Sequence, residues 1–101
     1  MKLIAVLICS LIAQGLLAYP PADAAQVFST SAGPVKITPL HHASTLIEAG
    51  GKTIYLDPAK PVKFSGLPKA DLILITDIHP DHMDLDSIKE VSPATGWHRI
   101  E

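Results

Sequence analysis

The sequence predicts one small α/β domain behind an N-terminal targeting segment, and three observations predict this class. Short segments of alternating apolar and polar residues are typical of half-buried strands. The apolar run at residues 72–75 shows no alternation, which is typical of a strand covered on both faces at the centre of a layered α/β sheet. A capped segment near residue 85 predicts a helix that covers the sheet. With 101 residues, the chain has room for a single domain at most.

Charge and cysteine content narrow the classes of partner and of metal ligand. Eight basic and ten acidic side chains give a net charge of −2. The chain therefore has no excess of positive charge for binding nucleic acid or an anionic membrane. The single cysteine, Cys9, lies in the N-terminal apolar run, so a chain cleaved after residue 24 would contain none. Any metal would then be held by histidine and carboxylate side chains.

Residues 1–24 have the order of parts of a secretory signal peptide. A short positive start precedes an apolar run over residues 3–13, and Ala22 and Ala24 place small residues at −3 and −1 of a cut before Ala25. The alternative is an uncleaved membrane anchor, but the run is shorter than the roughly 20 apolar residues that a spanning helix needs. The sequence therefore predicts a secreted or periplasmic protein with no stable membrane span after cleavage.

The first part of the mature chain predicts strands joined by a hairpin. Residues 25–34 have the composition of a polar lead-in. Residues 35–38 alternate with the period of a half-buried strand, and two further strands are predicted at Ser44–Ala49 and residues 53–56. Between these two, Gly50-Gly51 supplies the positive φ angles that a tight hairpin turn requires.

The second part predicts a loop, a buried strand and a helix. A loop at residues 60–69 precedes the apolar strand at residues 72–75. Asp84 is predicted to cap a helix over residues 85–91, which Ser92-Pro93 ends. The apolar members of this helix recur at every third position: Leu85, Ile88 and Val91.

The loop after the apolar strand concentrates metal-ligating residue types. It places two histidines and three aspartates within eight positions, at residues 77–84. Ligand sites in open α/β sheets lie at this carboxyl edge of the strands. Imidazole nitrogen with carboxylate oxygen suits zinc, and more oxygen ligands favour iron or manganese. The alternative is a surface turn that collects aspartate and proline by chance, and Asp84 is better explained as the helix cap.

Three segments together resemble one known family. Residues 76–82, TDIHPDH, are similar to the signature loop of the metallo-β-lactamase fold hydrolases, His-x-His-x-Asp-His after an apolar strand. Residues 40–48 resemble the Gly-His-Ala-Ser strand of one broad branch of that family, and residues 53–58 resemble its Asp-Pro hairpin exit. The branch includes proteins similar to ascorbate-6-phosphate lactonase and to the phospholipase D that acts on N-acylethanolamine lipids. The resemblance covers about residues 35–91.

The resemblance implies a fold and a set of metal ligands. The fold is the N-terminal half of a four-layer αββα sandwich. His79 is implied as a ligand of a first metal, and Asp81 and His82 as ligands of a second. Asp77 stands where the family usually has its first histidine, and its carboxylate could coordinate there.

Two further residues align with family motifs upstream of this loop. His42 matches the histidine of the Gly-His-Ala-Ser strand and Asp57 the aspartate of the Asp-Pro exit, and both are expected to line the site rather than bind metal. For Asp57 the alternative is a simple turn former. Since neighbouring strand residues face opposite ways, His41 is expected at the surface. His98, in the aperiodic tail, is expected in solvent.

The function that the resemblance implies is hydrolysis of an ester, lactone, amide or phosphodiester in a small-molecule substrate. One or two zinc ions, or iron or manganese, would lower the pKa of a bound water and generate hydroxide, and Asp81 would help to orient it.

The implied fold is larger than this chain. We therefore expect the N-terminal portion of a longer enzyme, whose residues 92–101 form a divergent or truncated tail. The alternatives are a non-catalytic secreted metal-binding fragment and a structural or partner-binding segment. The sequence gives no basis for an oligomeric state.

Overall fold

The structure is a computed structural model that describes residues 24–96. The predictions for the signal peptide, for Cys9 and for His98 concern residues outside this range. No helix within residues 24–96 is long and apolar enough to cross a membrane.

The described chain forms a mixed sheet and one short helix. The sheet has five strands, which lie side by side in the order in which they occur along the chain. The first four strands pair antiparallel, and the fifth pairs parallel to the fourth. The strands are β1 (Gln26–Thr30), β2 (Gly33–His41), β3 (Ser44–Ala49), β4 (Lys52–Leu56) and β5 (Leu72–Leu74), and the helix is α1 (Leu85–Val91).

The hairpin between β3 and β4 confirms the prediction made from its glycines. Gly50 and Gly51 have φ angles of 57° and 73°, the left-handed region that a tight two-residue turn demands at both positions. The turn fixes the register in which Leu46 lies beside Tyr55. These two residues therefore share one face of the sheet.

The polar lead-in expected at residues 25–34 contains a strand instead. β1 pairs with β2 from Gln26 beside Ile37 to Thr30 beside Gly33. All five β1 residues are exposed, so the strand is held by its backbone ladder rather than by burial. A strand of this kind leaves no apolar alternation in the sequence, which is why pattern alone did not predict it.

The apolar strand predicted at residues 72–75 forms as β5, but it lies at the edge of the described sheet rather than at its centre. Leu72 and Leu74 each keep 45% of their surface exposed, whereas Ile73 packs against the core on the other face. The expectation that both faces are covered is therefore wrong for the described chain. We call the side that carries Leu72 and Leu74, beside Ile54 and Leu56 of β4, the outer face.

The core lies on the opposite face of the sheet. Leu46 and Tyr55 project from the central strands, and the loop after β4 folds over them with Phe64 and Ala70. Val91 of α1 completes this cluster, in which every member keeps 4% of its surface or less. The long β4–β5 connection thus serves as the covering layer on this side.

Tyr55 is the centre of that core. Its side chain is fully buried, its ring meets Phe64 edge to face at a centroid distance of 5.7 Å, and its hydroxyl donates to the Pro68 carbonyl at 2.7 Å. Burial, aided by the charge of Glu48, raises the pKa of the Tyr55 hydroxyl to about 12. The phenol therefore remains a neutral hydrogen-bond donor at physiological pH.

Helix α1 confirms the predicted cap and corrects the predicted apolar face. The Asp84 carboxylate accepts from the Ser87 backbone N–H at 3.0 Å, as an N-cap does. However, Leu85 is 73% exposed while Ser87 and Val91 are buried. The helix is only seven residues long, and its C-terminal end is tied to the core because the Ala70 N–H donates to the Val91 carbonyl at 2.8 Å.

Substitutions at the two ends of α1 are expected to affect stability unequally. Val91→Ala is expected to lower the free energy of unfolding by about 2 kcal/mol, because it removes buried methyl groups and leaves a cavity. Leu85→Ala, the matched control, is expected to change it by less than about 0.5 kcal/mol because that side chain lies in solvent. Urea unfolding followed by circular dichroism measures both, and equal losses would contradict this assignment of the buried end.

Candidate metal centre

Strand polarity brings three separated segments to one edge of the sheet. β3 runs antiparallel to both β2 and β4, and β5 runs parallel to β4. The ends of β2, β4 and β5 therefore lie at the same edge. The β2–β3 turn contributes His42 there, the exit of β4 contributes Asp57, and the loop after β5 contributes residues 76–82.

The buried Asp57 carboxylate joins β4 to the loop that follows β5. It is 3% exposed and accepts from the Thr76 backbone N–H at 2.7 Å and from the Thr76 hydroxyl at 2.5 Å. His82 Nδ1 lies 2.9 Å from Asp57 Oδ2. Ser44 Oγ donates to the Asp57 carbonyl at 2.7 Å and so anchors the backbone of this residue to β3.

Electrostatics in this cluster favour one arrangement of protons. Burial alone would raise the pKa of Asp57, but hydrogen bonds from Thr76 and His82 outweigh burial and hold that pKa below its usual value. The same hydrogen bond to Asp57 raises the pKa of His82, aided by the charges of the surrounding aspartates. An ionised carboxylate only accepts hydrogen bonds, so Nδ1 of His82 donates and its Nε2 is left for another partner.

Nε2 of His82 faces a cluster of ligand atoms. Asp81 Oδ2 lies 3.8 Å from His82 Nε2 and 3.0 Å from His42 Nε2. One ligand atom from each of His42, Asp81 and His82 lies within 4.8 Å of the other two; we call these residues the candidate ligand group. Zinc bonds of about 2.0–2.2 Å would place the donor atoms of one ion about 3–3.6 Å apart. The separation of 3.0 Å lies in this range and the separation of 3.8 Å is slightly longer, so the donor types suit a divalent cation around which the group would have to contract slightly.

His79 and Asp77 pair with each other outside the candidate ligand group. His79 Nδ1 lies 2.5 Å from Asp77 Oδ1, and the His79 backbone N–H donates to the same oxygen at 3.1 Å. The backbone N–H of His79 is also the main cause of the lowered pKa of Asp77. Both side chains are exposed, and their roles as ligands of a first metal remain predictions.

The structure thus sorts the residues that the sequence singled out. The structure brings together Asp81 and His82, which were predicted as two ligands of one ion. His42, expected only to line the site, joins them at hydrogen-bond distance. Asp57, which was predicted to line the site, contacts His82 of the candidate ligand group. Their functions in the protein remain predictions.

Sequence reasoning missed Thr76. Its backbone and hydroxyl both donate to Asp57, and its hydroxyl lies 3.1 Å from His82 Nδ1. A signal was present, because Thr76 follows one strand of a parallel pair and Asp57 follows the other. Without the pairing of β4 with β5, nothing linked these two positions.

Backbone strain is concentrated at two of the site residues. His42 and Asp57 have φ angles of 51° and 45°, the left-handed region that residues with a Cβ rarely adopt. Such a conformation costs on the order of 1 kcal/mol or more and persists where the surroundings enforce it. Both residues turn the chain at the sheet edge and direct a polar side chain toward the loop after β5.

Comparison with known proteins identifies the family. Residues 36–98 match the family model described as the beta-lactamase superfamily domain, and this match covers well over half of the chain. The chain therefore belongs to the beta-lactamase superfamily, and its mixed sheet is part of that fold. This confirms the superfamily named by the sequence resemblance, while the lactonase-like branch remains a prediction.

Two relatives share the described segment. The chain is 39% identical over 65 residues to a "UPF0173 metal-dependent hydrolase" of Aeropyrum pernix, over 58% of this chain and 27% of that protein. It is also similar to the crystal structure of a Parabacteroides distasonis protein provisionally described as a metal-dependent hydrolase. That match has a TM-score of 0.66 and 32% identity and covers 71% of this chain and 34% of the other. The chain thus spans about a third or less of the length of these relatives.

The Asp57 cluster predicts a large effect on stability. Asp57→Ala is expected to lower the free energy of unfolding by about 3 kcal/mol, because it leaves the Thr76 and His82 donors without their acceptor in a buried setting. Asp86→Ala, the control, removes an exposed carboxylate that pairs with Lys60 and is expected to cost less than about 1 kcal/mol. Guanidinium unfolding of both variants checks this, and similar costs would show that Asp57 is not a structural link.

Proposed function

We propose that this protein is a metal-dependent hydrolase whose metal site includes Asp81 and His82. The observation that carries the proposal is their arrangement at the sheet edge. Their donor atoms lie 3.8 Å apart, and the buried Asp57 holds the His82 ring so that Nε2 faces Asp81. Membership of the beta-lactamase superfamily and similarity to two proteins described as metal-dependent hydrolases support the same class of activity.

The proposed cofactor is zinc, as one or two ions, with iron or manganese as alternatives. Imidazole and carboxylate donors without thiolate suit all three metals, and a set rich in imidazole favours zinc. When bound, the metal would acidify a water molecule and polarise the bond under attack. The proposed substrate is a small molecule with an ester, lactone, amide or phosphodiester bond, as in the lactonase-like branch.

The chain's own residues would hold and orient the reactants. Asp81 has two carboxylate oxygens, and its side chain is 54% exposed, so one oxygen can ligate while the other accepts a hydrogen bond from the attacking water. The hydrogen bond from His42 is the main cause of the lowered pKa of Asp81, which keeps the carboxylate ionised. His82 is more sheltered, at 25% side-chain exposure, and is fixed from behind by Asp57.

The outer face supports the four-layer αββα sandwich as the complete fold. Leu72 and Leu74 are large apolar side chains that remain about half exposed there, beside Ile54 and Leu56. A second sheet packed on this face would bury them and would add a layer over the site edge. The described chain would then be one half of the sandwich.

A second candidate function is metal binding without catalysis. It is favoured by Asp77, which stands at the expected position of the family's first histidine and pairs with His79. It is also favoured by the candidate ligand group, in which three residues are brought together among residues 24–96. Turnover of any ester, lactone, amide or phosphodiester by the metal-loaded protein would exclude this candidate.

Export is proposed from the N-terminal segment. Residues 1–24 are expected to be removed, so that the mature protein begins at Ala25. N-terminal sequencing of the protein recovered outside the cytoplasm checks this. Leu7→Arg, which interrupts the apolar run, is expected to retain the precursor inside the cell, and recovery of an exported chain that still begins at Met1 would contradict the proposal.

Removal of the proposed metal ligand Asp81 is expected to abolish most of the hydrolysis. Asp81→Ala in the protein produced from its complete open reading frame is expected to reduce kcat/KM by about a thousandfold, equivalent to about 4 kcal/mol of transition-state stabilisation. Asp86→Ala, on the exposed side of α1, is expected to retain activity. Steady-state assays with model esters, lactones and phosphodiesters, before and after chelation and zinc reloading, measure both effects. Full activity of a metal-free preparation would overturn the proposed function.

A further inference from the structure

We propose that His42 is the third protein ligand of the metal, so that His42, Asp81 and His82 form a site for a single ion. The inference rests on the proposed function, since it concerns the same metal. It goes beyond the sequence resemblance, which gives His42 only a position beside the site. The third protein ligand would then come from the β2–β3 turn, whereas the other two come from the loop after β5.

Distances within the candidate ligand group support this assignment. His42 Nε2 lies 3.0 Å from Asp81 Oδ2, which is closer than His82 Nε2 at 3.8 Å. The two imidazole rings meet edge to face at a centroid distance of 6.1 Å. Two imidazoles and one carboxylate are a set that holds zinc with a coordination position left open, and also Fe²⁺.

The backbone of His42 supports a role for its side chain. A φ of 51° at this turn suits glycine, whereas histidine, like asparagine, adopts it at a cost. Its side chain is 59% exposed, so the strained position gains little from burial. The polar contact that the side chain makes is with Asp81, across 39 positions of the chain.

His79 pairs with Asp77 and lies outside the candidate ligand group. His79 Nδ1 is 2.5 Å from the Asp77 carboxylate, and its side chain is 73% exposed. The side chains of His42 and His82 thus face Asp81, whereas the side chain of His79 faces Asp77. A metal held by His42 Nε2 would require the ring hydrogen of His42 to lie on Nδ1.

Zinc binding by the 101-residue chain tests the inference. The variants are His42→Gly, which removes the imidazole and relieves the positive φ, and His79→Asn as the matched control. Titration calorimetry gives affinity and stoichiometry, X-ray absorption counts the imidazoles bound to zinc, and circular dichroism checks that each variant folds. We expect one ion and two imidazoles in the wild type and in His79→Asn. In His42→Gly we expect one imidazole and an affinity at least about a hundredfold lower.

Other outcomes separate the two proposals. A wild-type chain that takes up neither zinc nor iron nor manganese in the same titration would overturn the proposed function together with this inference. Wild-type binding that persists in His42→Gly with two imidazoles would overturn the inference alone and leave the proposed function intact. A loss of affinity in His42→Gly without a change in the imidazole count would also overturn it, because His42 would then act only by holding Asp81.

Discussion

The buried carboxylate of Asp57 is the contact on which the site depends. It lies where β4 ends and receives hydrogen bonds from Thr76 and His82 of the segment that follows β5. A buried anion is costly unless every lone pair has a donor, so this carboxylate fixes the conformation of the loop around it. The direction of the His82 ring, and with it the separation of His82 from Asp81, follows from that requirement.

The same sheet has two unlike faces, and this difference explains where chemistry can occur. On one side, Tyr55, Phe64 and Val91 form a buried core against which the strands pack. On the outer face, Leu72 and Leu74 remain half exposed. The polar groups lie between these two faces, at the edge where β2, β4 and β5 end. The backbone there is no longer paired in the sheet, so side chains can point toward one another. A rigid scaffold beneath a polar loop is the usual way in which folds position reactive groups.

Strain and charge act together at this edge. His42 and Asp57 both adopt positive φ angles, and both direct side chains toward the loop that carries Asp81 and His82. Membership of the beta-lactamase superfamily and these contacts support the proposed metal-dependent hydrolysis. Asp77 places a carboxylate where the signature loop of the resemblance has its first histidine. Its pairing with His79 divides the loop into two separate polar pairs.

Local sequence determined the features that depend on neighbouring residues. The strand at Ser44–Ala49, the Gly50-Gly51 turn and the Asp84 cap all formed as predicted, because a few consecutive residues fix each of them. Tertiary structure alone decided that β1 exists, that β5 lies at an edge, and that His42 meets Asp81. These outcomes depend on which strands pair and on what covers each face, and such long-range contacts leave no periodicity in the sequence.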